Sequence, residues 1–245
     1  MLASTAMRGG SKIAVVIPAL DEENTVGRVV DAIPEWVDEI VVVDNGSTDS
    51  TAKVAAEKGA RVVLEAKRGY GAACRAGVRS LPPGGGAPEI VVFVDGDFSD
   101  DPREMDALVA PILERGADFV IGSRALGRRE RGALTIQQRF GNALSCALIR
   151  LLHGRRYTDL GPFRAIRRTS LQELALTDIG FGWNVQMQVR AARRGLEIAE
   201  VPVSCRRRAA GRSKVSGTVR GVIGAGTKFM VVIFGEALKA SPRKG

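Results

Sequence analysis

Five short runs of β-branched and aliphatic residues punctuate the first half of the chain: IAVVI (13–17), EIVVVD (39–44), RVVLE (61–65), EIVVFVD (89–95) and ADFVIG (117–122). Each is apolar almost throughout rather than at alternate positions, which predicts strands buried on both faces. Between them, TVGRVVDAI, STAKVAAEKG and GAACRAGVRSL repeat apolar residues at helical spacing, with Ser47 or Asp49 as a candidate cap and Gly59 and Gly77 near helix ends. Strand followed by helix, repeated, predicts an α/β fold with a mostly parallel sheet and right-handed crossovers. The Pro82–Pro88 segment (PPGGGAP) reads as a surface loop.

Past Arg124 the rhythm changes. An Arg-rich loop (LGRRERG) leads to a helical pattern over Ile136–His153, a Gly-Pro turn at Gly161 and Pro162, a second helix around Val185–Arg194, a strand-like EIAEVPV, a basic loop (RRRAAGRSK) and a long C-terminal helix. There is no internal repeat and no interdomain linker. The expected organisation is one domain over residues 12–218, with halves 12–124 and 125–218, followed by an amphipathic helix over 219–240.

Composition adds one strong constraint. Of 245 residues, 45% are hydrophobic and 26% charged, which excludes a disordered, collagenous or disulfide-scaffold chain. Cys74, Cys146 and Cys205 are odd in number and lack C-x-x-C spacing, so neither a disulfide framework nor a structural zinc site is expected. The N-terminal MLASTAMRGGS has no apolar signal core, and the reading is a cytoplasmic protein. The net charge of +9 is unevenly spread: 12 Lys+Arg face 20 Asp+Glu up to Ser123, and 24 face 7 from Arg124 onward. An acidic half precedes a basic half.

Carboxylates cluster where strands should end: Asp21 and Glu22 after the first, Asp44 on the second, Asp95 and Asp97 after the fourth. Loops leaving the C-terminal edge of a parallel sheet converge on one crevice, so these acids should be neighbours in space. Such crowding is costly without a cation. For Asp49 a helix-capping role is enough, whereas Asp95 and Asp97 around Gly96 suit a metal and a diphosphate. Asp95–Asp106 imitates a calcium loop, but Asp100 replaces its glycine, Pro102 interrupts it and a strand precedes it.

IPALDEENTVGRVV, VVVDNGSTDST, KRGYGAACRAG, VVFVDGDFSDDP and GSR, in this order, resemble the nucleotide-sugar half of a family-2 glycosyltransferase with the GT-A fold. The resemblance implies that Pro18, Leu20, Glu22, Asp44, Gly46, Arg75, Asp95 and Gly96 bind a nucleotide-sugar donor. It further implies that Asp95 and Asp97 hold Mg²⁺ or Mn²⁺ on the diphosphate, with Ser99 nearby. Asp21, where the family often has Asn, receives no role. In the second half, GSR, QQRFGN, DLGPFRAIRR, VQMQVRAARRG, EVPV and GRSK are similar to the dolichol-phosphate mannosyltransferase-like and polyprenyl-phosphate glycosyltransferase branch. That similarity implies a lipid-phosphate acceptor held by Arg124, Arg139, Arg212 and Lys214, with Asp97 and Arg124 in catalysis.

Chemistry supports that acceptor independently. An alcohol needs a general base, worth about 10²–10⁴ in rate, whereas a phosphate monoester is already an anion. Where many relatives carry a carboxylate near Trp183, this chain has Gln186 and Gln188. Asp159 in the Asp-Leu-Gly-Pro turn is either an alternative base or a turn-stabilising residue. The expected reaction is inverting transfer of a sugar to polyprenyl phosphate at the inner membrane face. A soluble saccharide or alcohol acceptor is the runner-up.

Gly221–Leu238 is near spanning length, but Lys228 and Glu236 make insertion unfavourable. Lys228, Gly235 and Lys239 fall opposite Ile223, Met230, Ile233, Phe234 and Ala237, which fits an interfacial helix touching the membrane peripherally, or one docked on the domain. GVIGAG (221–226) follows no strand and reads as close-packing glycines, and His153 as a partner of a helix C-terminus. A nucleotidylyltransferase would need a Gly-rich loop where the chain has PALDEE. A nucleic-acid binder would explain the arginines but not Asp44, Asp95 and Asp97, so no nucleic acid is expected.

Overall fold

The computed structural model describes residues 10–208 and 219–239. The strands are β1 (Ile13–Ala19), β2 (Glu39–Asp44), β3 (Arg61–Leu64), β4 (Ile90–Phe93), β5 (Phe119–Ser123), β6 (Arg164–Arg167) and β7 (Ile198–Pro202). They form one sheet in the order β3-β2-β1-β4-β6-β5-β7. β1, β2, β3 and β4 run parallel, as do β5 and β7, while β6 is antiparallel to both its neighbours. The fold is α/β and the sheet mostly parallel, as expected. The helices are α1 (Val26–Asp31), α2 (Thr51–Glu57), α3 (Tyr70–Ser80), α4 (Met105–Arg115), α5 (Ile136–His153), α6 (Arg168–Glu173), α7 (Trp183–Arg194) and α8 (Val219–Ala237).

Alternate residues of each strand face opposite layers, as the pleat requires. Val16, Val41, Val43, Val91 and Phe93 pack towards α3, α5, α7 and α8, whereas Val15, Ile17, Val42, Ile90 and Val92 pack towards α1, α2 and α4. β1 and β4 are therefore buried on both faces, as their unbroken apolar runs predict. β3 departs from that expectation: it is the edge strand and Leu64 is 75% exposed. Gly77 lies in the last turn of α3 for a packing reason. A Cβ there would sit 2.5 Å from Val16 Cγ1, so only glycine lets α3 lie this close to β1.

β6 has no counterpart in the sequence expectation, because its RAIR carries two arginines in four residues. Arg164 is nonetheless fully buried, with Leu160, Gly161 and Asn184 carbonyls accepting from its guanidinium. With no carboxylate among those acceptors, burial lowers its pKa to about 10.

α8 docks rather than lying free. Val232 and Ile233 are buried, Lys228 pairs with Asp178 at 2.8 Å, and Glu236 accepts from Arg190 at 2.7 Å and Lys239 at 2.6 Å. The charges that oppose insertion are thus spent on docking. Among the described residues no helix is long and apolar enough to cross a membrane. His153, the last residue of α5, contacts the Ile233 carbonyl of α8 at 3.1 Å. At Gly224 and Gly226 an added Cβ would meet nothing among the described residues.

Candidate active site

The strand order reverses at β1: β2 and β3 lie on one side, β4 on the other. Such a switch point opens a crevice at the C-terminal strand ends. Here the crevice is a cleft of about 1090 Å³, and Pro18, Leu20, Glu22, Asp95, Gly96 and Asp97 all line it.

Short-range bonding holds the loops around it. Asp21 takes a positive φ of 49°, a conformation that Asn and Asp tolerate better than other side chains. Its N–H donates to Ser47 Oγ at 2.9 Å and its Oδ1 accepts from Thr48 N at 2.8 Å. The departure from Asn therefore preserves both the turn and a tie between the loops after β1 and β2. Asp44 is buried and accepts from Ser47 N at 2.9 Å. Asn45 reaches further, donating to the Glu65 and Lys67 carbonyls at 2.9 and 2.8 Å and accepting from Gly69 N at 2.7 Å. Asn45, Arg68, Gly69 and Tyr70 consequently line the cleft, whereas Asp44, Gly46 and Arg75 do not.

Asp95 and Asp97 stand at the floor. Asp97 Oδ1 accepts from Ser99 N at 2.9 Å, and the intervening Phe98 adopts φ 58°, an outlier for a bulky residue. Guanidinium groups of Arg28 and Arg206 lie over the Phe98 ring, 4.6 and 5.6 Å from its centroid. Asp95 Oδ1 is buried without a hydrogen-bond partner. Burial first, and the Asp97 charge second, push its carboxyl up to about 7. Two adjacent carboxylates, one with an orphaned buried oxygen, form the hard-oxygen set that suits Mg²⁺ or Mn²⁺. Among the described residues no cluster of three or more acidic, His or Cys side chains could hold a metal, so the remaining ligands would come from substrate and water.

Arg208 completes the floor. Its Nη1 donates to Glu22 Oε1 at 2.7 Å and its Nη2 lies 3.0 Å from Asp97 Oδ2, so one guanidinium balances two carboxylates. The preceding residues anchor it: Arg206 pairs with Asp101 at 2.6 Å, and Ser204 N donates to Glu104 at 2.6 Å.

Across the cleft, Arg124 Nε and Nη2 donate to the two oxygens of Asp159, each at 2.8 Å, and Arg124 N adds a third bond at 2.8 Å. Burial alone would raise the Asp159 pKa, but Arg124 outweighs it and holds the carboxyl below its usual range. Asp159 is the counter-ion of Arg124. An acid committed to four N–H donors, Leu160 N included, is a poor base, so of the two roles open to it the turn-stabilising one fits. Arg124 still lines the cleft, and none of these bonds uses its Nη1.

The wall above Arg124 is apolar. A capping box between Thr135 and Gln138 starts α5, which presents Ile136, Phe140 and Leu144 to the cleft mouth, and α8 adds Phe229 and Met230. Ile136 and Phe140 are 79% and 69% exposed. Arg139 is exposed on the same helix but does not line the cleft, and Arg212 and Lys214 lie outside the described residues.

Residues 14–175 match the profile of Glycosyl transferase family 2. The chain belongs to this family. An uncharacterised glycosyltransferase of Mycobacterium tuberculosis is 39% identical over 226 residues, 91% of this chain and 99% of its own. The undecaprenyl-phosphate mannosyltransferase of Micrococcus luteus is 32% identical over 225 residues, 86% of this chain and 90% of its own. Among solved structures, glucosyl-3-phosphoglycerate synthase from M. tuberculosis with Mn²⁺, UDP-glucose and phosphoglyceric acid has a TM-score of 0.74 at 26% identity, over 93% of this chain and 80% of that one.

Within this glycosyltransferase, sequence reasoning missed Arg206, Arg208, Tyr70 and Asn184. Arg208 sits in a loop read only as basic, and nothing local distinguishes it from Arg206 or Arg207; its partner Glu22 is 186 positions away. Gln186 and Gln188 prove to be scaffold. Gln186 Oε1 accepts from Thr177 N and Asp178 N, and Gln188 Nε2 donates to the Asp159 carbonyl at 3.0 Å.

Proposed function

We propose that this glycosyltransferase moves a sugar from a nucleotide diphosphate sugar to a lipid phosphate, polyprenyl phosphate in class, with inversion at the sugar carbon. One observation carries the acceptor assignment: the exposed apolar stripe of Ile136, Phe140 and Leu144 runs into the same cleft as Arg124. A hydrocarbon chain would cover that stripe while its phosphate reaches the guanidinium. Exposed aliphatic and aromatic side chains have no such use with a small polar acid. Leu151 of α5 and Val231, Phe234 and Leu238 of α8 are also exposed, which supports peripheral membrane contact by these two helices.

Asp95 and Asp97 would hold Mg²⁺ or Mn²⁺, which when bound neutralises the departing diphosphate. Pro18, Leu20 and Asn45 flank the nucleotide, and Glu22 is positioned by Thr51 Oγ1 through its N–H at 2.7 Å. Arg124, pre-oriented by Asp159, places the acceptor phosphate, an anion at neutral pH that attacks without a base. The similarity to undecaprenyl-phosphate mannosyltransferase supports this reading. The phosphoglyceric-acid complex of the structural relative supports the competing one, a soluble acceptor.

The test is transfer from radiolabelled nucleotide sugars, with Mn²⁺, to undecaprenyl phosphate in detergent or to phosphoglyceric acid. The reading expects organic-extractable label with the lipid. Label confined to the aqueous phase with phosphoglyceric acid would replace the lipid acceptor by the soluble one.

A further inference from the structure

Three side chains that line the cleft carry a buried polar atom with no hydrogen-bond partner among the described residues: Tyr70 Oη, Asn184 Oδ1 and Asp95 Oδ1. The Tyr70 hydroxyl lies beside both Asp95 and Asn184, yet makes no hydrogen bond of good geometry with either. Buried polar groups are normally satisfied; the metal would take the Asp95 oxygen, and the two remaining orphans, on Tyr70 and Asn184, call for a ligand that carries hydroxyls. Trp183 Nε1 is also unpaired but does not line the cleft.

The patch is held rigid from behind. Gly69 takes φ 140° with its N–H on Asn45, and the N–H of Gly71 donates to the Gly180 carbonyl at 3.2 Å, which fixes Tyr70 on both sides. A Cβ on Gly69 would stand 2.1 Å from the Ile179 carbonyl oxygen, so glycine alone permits this approach. Arg164 Nη1 donates to the Asn184 carbonyl at 3.1 Å, fixing the start of α7. The buried hydroxyl of Tyr70 stays protonated and can donate, Asn184 Oδ1 can accept, and the Asn184 amide adds a donor.

Position decides what the patch meets. Pro18, Leu20 and Asn45 lie towards β1 and β2, whereas Tyr70 and Asn184 lie on α3 and α7, in the layer that also contains α5. Asp95 sits between, two residues before Asp97. We infer that Tyr70 and Asn184, beside the metal-holding Asp95, form the subsite that binds the ring hydroxyls of the transferred sugar and selects which sugar is moved. This rests on the nucleotide-sugar reading above. A sugar ring supplies donors and acceptors on neighbouring carbons, which matches a donor and an acceptor set on facing helices. Sites built to bond a substrate hydroxyl discriminate strongly against analogues lacking it.

The experiment measures Kd by calorimetry, with Mn²⁺, for UDP, UDP-glucose, GDP and GDP-mannose on the wild type, Tyr70→Phe and Asn184→Ala, alongside melting temperature. For whichever base binds, each variant is expected to hold the nucleoside diphosphate within about twofold and to weaken the nucleotide sugar by about tenfold, one hydrogen bond's worth. Tyr70→Phe removes no hydrogen bond of good geometry from the free protein, so its Tm should stay within a few degrees of the wild type. For one ring position, the deoxy-sugar donor should bind wild type and Tyr70→Phe equally. Equal weakening of diphosphate and sugar would place the contact on ribose or phosphate and overturn the inference. So would an unchanged ratio, or a lowered Tm with an unchanged ratio. If the wild type binds the diphosphates but no nucleotide sugar, the donor reading itself fails, and this inference with it.

Discussion

Replacing Asp159 by Asn separates the two roles that the turn residue could play. The carboxylate is 2% exposed and accepts from Arg124 N, Nε and Nη2 and from Leu160 N, all at 2.8 Å, while the Arg124 side chain is only 19% exposed. Asparagine keeps one acceptor oxygen and turns an NH₂ towards donors where the other stood. It also leaves a buried guanidinium without its counter-charge. Breaking a buried pair from one side costs about 3–5 kcal/mol. For a chain of this size that is a Tm lower by about 6–20 °C. The depressed pKa of Asp159 adds a sign: its stabilisation is complete above the ordinary carboxylate value of 3.8 and is lost as pH falls through its lower folded value. Thermal melts at neutral pH, with urea unfolding as a second probe, measure the loss. An acceptor KM series then reads the displacement of Arg124. Asp159→Leu combined with Arg124→Leu should recover much of the stability, because no unpaired charge remains. Were Asp159 a general base, Asp159→Asn would instead melt like the wild type and lose about 10²–10⁴ in kcat with KM unchanged. That pattern would refute the counter-ion argument.

Asp97→Asn should abolish divalent-dependent turnover with the Tm kept within a few degrees, and full activity of the wild type in EDTA would dispose of the metal assignment. Arg208→Ala removes the guanidinium that bridges Glu22 and Asp97, so donor-free protein should bind Mn²⁺ more tightly in a calorimetric titration. Unchanged or weaker binding would show that Arg208 does not compete for that charge. The carboxyl of Glu236 is held at about 2, burial being outweighed by Arg190 and Lys239. Its contribution is full above the usual 4.5 and is lost as pH falls towards 2, and solvent around Lys239 limits it to about 1–2 kcal/mol. Urea melts of Glu236→Gln at pH 7 and at pH 3 should differ less than those of the wild type; an identical pH response would argue that the cluster adds nothing.

Much of the architecture was legible in the chain because its causes are local. Unbroken aliphatic runs produce β1, β2 and β4, Thr135 and Gln138 open α5, and Gly154 in the left-handed region closes it. Acidic residues placed just after these strands had to meet once the strands ran parallel. What escaped was non-local. β6 is a strand because the gap between β4 and β5 must be filled, and its buried Arg164 is tolerated only because loop carbonyls from elsewhere surround it.

The sequence by itself determined the strands β1, β2 and β4, the family and the carboxylate end of the cleft, since apolar periodicity and short motifs act over a few residues. Only the tertiary structure decided which charges are free. Asp159 is tied to Arg124 across 35 positions and Glu22 to Arg208 across 186, while Tyr70 and Asn184, on different helices, share one unsatisfied patch. Charge pairing and hydrogen bonding depend on distance in space, and a linear pattern carries no record of that distance until the chain has folded.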